Sequence, residues 1–247
     1  MSIDIKIKLG KRLQQIEAMV TEHYDHIWDC CCDHGLLGAA LLARQAAPHI
    51  HFVDQVPELM HELEYKLAQF YPTTAESYSH WKTHCLDVKT LPLNAFNGRH
   101  LVIIAGVGGE LMTELVRTIY QNNPTLDIDF LLCPVHHQFT LRQQLIEFDF
   151  SLKNEILITE NQRFYEILLV STSDNSHAKI HAAGTLIWQS STPQQSKIAA
   201  DYLQKTLAHY NRIQLNPEAA IQPIIDAYSA VTIPPLSSCL PTCKVTL

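Results

Sequence analysis

Residues 26–43, HIWDCCCDHGLLGAALLA, predict a buried strand, a tight acidic turn and a helix in immediate succession. Such a unit places the first backbone N–H groups of the helix beside the carboxyl end of the strand, where open α/β sheets bind their ligands. Asp29 and Asp33 would direct carboxylates into that crevice. We therefore expect a ligand site at this turn.

The charge of the turn indicates what it can bind. Two carboxylates would repel a pyrophosphate, but they suit ribose hydroxyls or the cationic methionine part of S-adenosylmethionine. A nicotinamide-dependent oxidoreductase would use a similar sheet, but its fingerprint needs Gly-x-Gly-x-x-Gly in the first turn, where residues 30–35 are CCCDHG. The turn favours S-adenosylmethionine and leaves an NAD-dependent oxidoreductase as the weaker alternative.

Helices and strands are predicted to alternate after this unit. They are strands at 49–54, 84–87, 100–105 and 130–134 and helices at 57–70, 110–120 and 139–148. Two further strands, at 155–159 and 164–171, leave no room for a helix between them and should pair antiparallel at a sheet edge. The order predicts an α/β fold with a doubly wound, Rossmann-like sheet of seven strands.

Two regions are predicted. Residues 1–175 form the sheet domain, and its first helix, at residues 5–20, carries the densest basic stretch of the chain, Lys6, Lys8, Lys11 and Arg12. Residues 176–247 form a C-terminal helical appendage and tail, with helices at 194–213 and 217–228.

Composition limits the class of protein. No apolar run approaches the roughly 18 residues that a spanning helix needs, and the N-terminus lacks an apolar signal core, so we expect a soluble cytoplasmic protein. The net charge of −7 argues against a generally basic surface but not against a local basic patch. We expect the seven cysteines to be reduced and to bind no metal, and most of the fourteen histidines to lie singly at or near the surface.

Three acids follow predicted strands. Asp29, Asp54 and Asp87 each lie at or just beyond a strand end. A single acid in such a position is usually a helix cap. Three in register, followed by an apolar strand and a glycine-rich turn at 101–109, match the positions at which a class I methyltransferase sheet contacts its cofactor.

Motifs between residue 9 and about residue 172 resemble the bacterial TrmK family. They are Lys11-Arg12-Leu13, Asp29-x-x-x-Asp33-His34-x-x-Leu37, Ile104-Ala105-Gly106-Val107-Gly108-Gly109, Leu131-Leu132-x-Pro134 and Phe164-Tyr165-Glu166-Ile167. Members of this family are S-adenosylmethionine-dependent tRNA methyltransferases that act on N1 of adenine 22. The resemblance implies a tRNA partner, and we expect the basic N-terminal helix and the C-terminal Lys197, Lys205 and Arg212 to contact it. We expect no membrane partner and a monomer or weak dimer.

The resemblance also implies a site. Asp29, Asp33 and His34 would line the methionine end of S-adenosylmethionine, Asp54 its ribose, and Asp87 with Val88 its adenine. The full set expected to bind the cofactor is Asp29, Cys31, Asp33, His34, Asp54, Gln55, Asp87, Val88, Ala105 and Gly106. The expected catalytic residues are Ala105, Gly106 and Asp29, and the carbonyls of residues 105–108 could accept from the amino group of the target adenine.

The chain departs from the family pattern at three positions. Cys31 stands where the family usually has a glycine, which matters because only glycine enters positive φ freely. Asp54 replaces a glutamate, and residues 135–137, VHH, stand where an asparagine tends to follow the proline. The open alternatives are methyl transfer to another RNA or to a small molecule, and an inactive cofactor-binding module that interacts with RNA.

Overall fold

The computed structural model describes residues 8–72, 74, 77–173, 178–215 and 221–234. The chain divides into two compact units, Met1–Ala182 and Ala183–Leu247. The predicted boundary between residues 175 and 176 lies outside the described residues, as does Lys6 of the basic stretch.

The first unit is built on one sheet in the order β3-β2-β1-β4-β5-β7-β6-β8. Its strands are β1 His26–Cys30, β2 His49–Asp54, β3 His80–Cys85, β4 His100–Ala105, β5 Ile128–Cys133, β6 Ser151–Glu160, β7 Arg163–Ser171 and β8 Ala178–Lys179. The first five strands are parallel, and β7, β6 and β8 pair antiparallel. The doubly wound class is confirmed.

Two strand predictions need correction. The sheet has eight strands instead of seven, because the two-residue β8 pairs with Ser151 and Leu152 of β6, and two residues are too few to show a periodic pattern. The strand predicted at 84–87 is β3, which begins at His80. Its side chains are mostly polar and only partly buried at the sheet edge, so apolar spacing did not reveal it.

Helices cover both faces of the sheet. They are α1 Lys11–Ala18, α2 Leu36–Ala43, α3 Pro57–Phe70, α4 Gly109–Asn122 and α5 Gln138–Glu147 in the first unit. The main apolar cluster joins α1, α2 and α3 to residues such as Ile27, Phe52 and Leu131 on one face. Phe130 points to the other face, where it stacks on Phe150 with ring centroids 5.9 Å apart. The strand order reverses between β2 and β4 around β1, and this opens a crevice at the carboxyl ends of β1 and β4.

A buried ion network ties the antiparallel strands to α5. Arg142 of α5 is fully buried; its Nη2 donates to Glu155 Oε2 of β6 at 2.6 Å and its Nε donates to Glu166 Oε2 of β7 at 2.7 Å. Because charges buried without partners are strongly unfavourable, this pairing fixes α5 on the hairpin.

The second unit contains the two predicted helices, α6 Pro193–Ile213 and α7 Gln222–Ser229. Residues 217–220, where the second was predicted to start, lie outside the described part. Aromatic rings hold this unit together: Trp188 stacks on Tyr202 at 5.7 Å, and Tyr210 stacks on Tyr228 at 6.2 Å.

Four histidines of β1, β2, β3 and β4 are exceptions to the prediction that most histidines lie singly at or near the surface. His26, His51, His84 and His100, hereafter the histidine cluster, are buried around Trp28. His51 stacks on the Trp28 ring with centroids 3.8 Å apart. Residues 86–99, between β3 and β4, contain no α-helix, and Phe96 and Asn97 of this connection contact the cluster.

Hydrogen bonds fix the tautomer of each ring in the cluster. The carbonyls of Asn97 and Phe96 can only accept, so Nε2 of His26 and Nε2 of His100 carry protons. His26 Nδ1 then accepts from His51 Nε2 at 3.1 Å, and His51 Nδ1 accepts from His84 Nε2 at 2.9 Å. Trp28 Nε1 donates to His100 Nδ1 at 3.1 Å. In this pattern His26, His51 and His100 each use one ring nitrogen as donor and the other as acceptor, which is the arrangement of a neutral ring.

Burial lowers the pKa of all four rings, that of His51 to about 2 and that of His84 to about 4. The unfolded chain therefore binds more protons than the folded chain below the ordinary histidine pKa of about 6.5. The contribution of these neutral rings to the free energy of unfolding is fully present above that pH and is lost as the pH falls toward the folded pKa values.

We predict that the free energy of unfolding falls steeply from pH 7 to pH 5, by up to about 1.4 kcal/mol per pH unit for each buried histidine. His51→Gln should reduce this slope by about one bound proton, which corresponds to about 1.4 kcal/mol per pH unit. The difference between the slopes of the variant and the wild type cancels the contributions of all other groups. Denaturant unfolding at several pH values measures the slope. His61→Gln, at an exposed position of α3, is the matched control and should keep the wild-type slope. An unchanged slope in His51→Gln would show that this ring is not buried neutral.

In the described part of the chain, no helix is both long and apolar enough to cross a bilayer.

Candidate functional site

A cleft of about 270 Å³ opens at the carboxyl ends of β1 and β4. Its lining comes from α1, the β1–α2 turn, the start of α2 and the end of β4. The lining residues are Arg12, Leu13, Asp29, Cys30, Cys31, Cys32, Asp33, His34, Leu36, Leu37, Ala105, Gly106 and Val107. Six residues predicted for the site thus meet here, namely Asp29, Cys31, Asp33, His34, Ala105 and Gly106.

Asp29 lies at the base of the cleft. It is 4% exposed, and its Oδ2 accepts a hydrogen bond of 2.8 Å from the backbone N–H of Gly38 in the first turn of α2. Burial, with a smaller contribution from the nearby Asp54, raises the pKa of Asp29 to about 7, against the lowering effect of this hydrogen bond. Asp29 is therefore a carboxyl group that can exist in either charge state near neutral pH, and a cation in the cleft would favour its ionised form.

Gly38 makes the hydrogen bond to Asp29 possible. A Cβ at this position would lie 2.3 Å from the Phe52 ring and 2.9 Å from Asp29 Oδ2. Only glycine lets α2 approach β1 and β2 this closely. The turn before it has an equally specific backbone, because Gly35 has φ +67° and its Cβ would lie 2.6 Å from Leu63.

The turn contains two strained residues. Cys31 has φ +56° and Asp33 has φ +52°, so both lie in the left-handed region that favours glycine. Hydrogen bonds hold this geometry: Cys32 N donates to Val53 O at 3.1 Å, and Gly35 N donates to Cys32 O at 2.7 Å. Cys31 therefore adopts a positive φ that glycine would adopt without steric cost.

Asp54 lies beside the turn at the end of β2 and is not part of the cleft lining. Its Oδ2 accepts from Asp33 N at 3.1 Å, and its Oδ1 accepts from Val56 N at 3.2 Å. The carboxylate thus stabilises the β1–α2 turn, and its remaining lone pairs are available to a ligand. Gln55 follows it and is exposed.

Asp87 and Val88 also lie outside the cleft lining. Asp87 is exposed, and its Oδ1 accepts from Lys89 N at 2.9 Å, which caps the short 3-10 helix Val88–Thr90. Val88 is buried. The structure therefore gives Asp87 the capping role usual for an acid after a strand, and its expected adenine contact stays a prediction.

Two loops meet on the side of the cleft formed by β4. Gly106 has φ +86°, and its N–H donates to Cys133 O at 3.3 Å. Val135 N donates to Val107 O at 3.0 Å, and Gly109 N donates to His136 O at 2.8 Å. These bonds join the loop after β4 to the loop after β5 and fix the backbone carbonyls that border the cleft.

The sequence prediction assigned Arg12 to the RNA surface, but the structure places it in the cleft lining. Its guanidinium lies over the Tyr165 ring, 5.2 Å from the centroid, and a Cβ on Gly106 would lie 3.9 Å from its Nη2. A sequence signal existed, because Arg12 follows Leu9 by three residues and precedes Ile16 by four, and both are buried. This spacing predicts a side chain that borders the core.

Within the described residues, no group of three or more histidine, cysteine, aspartate or glutamate side chains is arranged to hold a metal ion. Cys30 and Cys32 are buried, and burial raises the pKa of Cys31 to about 11, so these thiols are protonated at neutral pH.

Replacing Cys31 by glycine tests the strain in the turn. Cys31→Gly should raise the free energy of unfolding by about 0.5–1 kcal/mol, because glycine adopts φ +56° without steric cost. Cys85→Gly, at an exposed strand position without positive φ, is the control and should lower it. Urea unfolding measures both, and equal losses in the two variants would show that the turn is not strained at Cys31.

Comparisons with known proteins agree with this geometry. The family model described as a methyltransferase domain matches residues 9–168. No curated protein matches the chain by sequence.

Several solved structures are similar in fold. Mycoplasma capricolum TrmK, in complex with the cofactor product S-adenosyl-homocysteine, has a TM-score of 0.65 at 17% identity, covering 90% of this chain and 96% of that chain. The Bacillus subtilis m1A22 tRNA methyltransferase TrmK has a TM-score of 0.63 at 15% identity, covering 91% and 98%. Magnesium protoporphyrin IX methyltransferase from Synechocystis has a TM-score of 0.51 at 14% identity, covering 66% and 80%.

At these identities the structures establish a common fold. The match to the family model establishes more than a fold, because it spans well over half of the 247 residues. It includes the β1–α2 turn, β4 and the whole cleft lining. The chain belongs to the methyltransferase domain family.

Proposed function

We propose that the protein is an S-adenosylmethionine-dependent tRNA methyltransferase that modifies N1 of adenine 22. The observation that carries this proposal is the extent of the structural likeness. Similarity to M. capricolum TrmK covers 90% of this chain, whereas similarity to the porphyrin methyltransferase covers 66%. A fold shared with tRNA methyltransferases over nearly the full chain supports the same kind of acceptor. Membership of a methyltransferase family sets aside the oxidoreductase alternative.

The residues of the cleft fit S-adenosylmethionine. Asp29 and Asp33 suit its ammonium group, and Asp54, beside the turn, suits a ribose that donates two hydroxyls. Arg12 brings a cation suited to a carboxylate. When bound, S-adenosylmethionine supplies an electrophilic methyl group on a sulfonium. The residues of this chain hold and orient it, and a cationic group bound in the cleft would favour the ionised form of Asp29.

Little proton transfer is needed at the acceptor. N1 of adenine has a free lone pair at neutral pH, so the protein must mainly hold it in line with the methyl group, and positioning of this kind contributes up to roughly 7–11 kcal/mol. The carbonyls near Ala105 and Gly106 are fixed by the hydrogen bonds between the two loops and can accept from the adenine amino group. In folded tRNA a stacked or paired N1 is hidden, so the base must swing out of the stack.

Exposed cations support an RNA partner in each unit. Lys8 and Lys11 are exposed at the start of the first unit, and Lys197, Lys205 and Arg212 are exposed on α6 of the second. Because the net charge is −7, such groups would act as local contacts to phosphates, and tRNA affinity should fall with salt.

Asp54 variants test the cofactor assignment. Asp54→Ala should weaken S-adenosylmethionine binding by about 1.5–3 kcal/mol, the range for hydrogen bonds to a charged group. Asp54→Asn keeps an acceptor for the backbone of the turn, so its unfolding free energy should stay nearer to wild type while its affinity still falls. Calorimetry and urea unfolding measure the two effects, with Glu58→Gln on α3 as control. Unchanged affinity in Asp54→Ala would remove Asp54 from the ribose site.

The product tests the acceptor. Unmodified tRNA incubated with radiolabelled S-adenosylmethionine should yield labelled 1-methyladenosine on digestion and nucleoside mass analysis. A matched tRNA with guanine in place of adenine 22 should remain unlabelled. Label in another nucleoside, or in both tRNAs, would contradict the proposed specificity. Cofactor binding without any label in RNA would favour the inactive module.

A further inference from the structure

We infer that Arg12 binds the carboxylate at the amino-acid end of the cofactor. This inference rests on the proposed function, because it assumes that S-adenosylmethionine occupies the cleft. It assigns Arg12 a role different from the tRNA contact that the basic N-terminal stretch suggests.

The surroundings of Arg12 prepare its guanidinium for an anion. Among the residues that line the cleft, Arg12 is the only lysine or arginine. Its Nε is buried and has no hydrogen-bond partner within the described part of the chain. No ion pair joins its guanidinium to a described carboxylate, although its backbone N–H donates to Glu160 Oε1 at 3.4 Å. A buried donor without an acceptor is unfavourable unless a ligand supplies one.

Tyr165 fixes the direction of the side chain. The guanidinium carbon lies 5.2 Å from the centre of the Tyr165 ring, and Tyr165 is itself 8% exposed. The cation–π contact holds the guanidinium over the ring face, and a guanidinium can engage both oxygens of a carboxylate through parallel N–H groups. Arg12 is thus oriented before any ligand arrives.

The charges of the ligand indicate that Arg12 binds the carboxylate. The amino-acid end of the cofactor carries one ammonium and one carboxylate, and the lining offers Asp29 and Asp33 to the ammonium. Arg12 remains for the carboxylate. It is poorly suited to the target base, because methylation at N1 makes the adenine cationic and an adjacent guanidinium would oppose that charge.

Burial argues against a phosphate contact. Arg12 is half-buried and borders the core, whereas its neighbours Lys8 and Lys11 are exposed on the same segment. Phosphates of a folded RNA are more accessible to these lysines. The basic stretch therefore divides into a cofactor-binding arginine and RNA-facing lysines.

Two ligands that differ in the amino-acid portion test this inference on the full-length protein. S-adenosylhomocysteine has the carboxylate, and 5′-deoxy-5′-methylthioadenosine lacks the whole amino-acid end. Arg12→Gln should weaken S-adenosylhomocysteine binding at least about tenfold, the lower limit for a hydrogen bond to a charged group, and change methylthioadenosine binding less than about twofold. Lys11→Gln should leave both affinities as in wild type and weaken tRNA binding. Calorimetry measures the nucleoside ligands, and filter binding measures tRNA.

Each result separates the possible roles of Arg12. Equal losses for both ligands in Arg12→Gln would overturn the inference, because the residue would then only support the shape of the cleft. Unchanged S-adenosylhomocysteine affinity with weaker tRNA binding would overturn it in favour of a phosphate contact. Failure of the wild-type protein to bind either nucleoside would instead overturn the proposed function, and the inference with it.

Discussion

The hydrogen bond between Asp29 and the N–H of Gly38 is the constraint on which the site depends. It joins the end of β1 to the first turn of α2, and it forms only because Gly38 has no side chain to meet Phe52. The same bond gives a partner to one of the free N–H groups at the start of the helix. It holds a buried carboxyl group at the base of the cleft, so the fold and the charge of the site have a common origin.

The sequence predicted the central strands well, because they are buried on both faces, and the edge strands poorly, because they are not. β4 is apolar along nearly its whole length because it is central in the sheet and buried on both faces, and its pattern is unambiguous. β3 and β8 are edge strands whose polar residues carry no such signal. The turn after β1 was also predictable, because its acids and glycines restrict the chemistry and the backbone in a local way.

The features that the sequence did not reveal depend on contacts between distant segments. Successive histidines of the cluster are 16 to 33 residues apart along the chain, and the parallel register brings His26 beside His100. Arg12 was interpreted as a surface cation because charge is visible in a sequence and the stacking partner, Tyr165, is not. Asp54 was expected to serve a ligand, and its two hydrogen bonds to backbone N–H groups show a structural task as well.

The hydrogen bonds of the histidine cluster have a single direction. From His84 through His51 and His26 to the carbonyl of Asn97, each ring donates to the next group, and His51 and His26 also accept from the ring before them. No ring can exchange its tautomer alone, since reversing one bond would leave two donors or two acceptors facing each other. The carbonyl of Asn97, in the connection that leads into β4, thereby sets the polarity of three side chains on three strands. The connection that leads into β4 is thereby linked, through one chain of hydrogen bonds, to a side chain of β3.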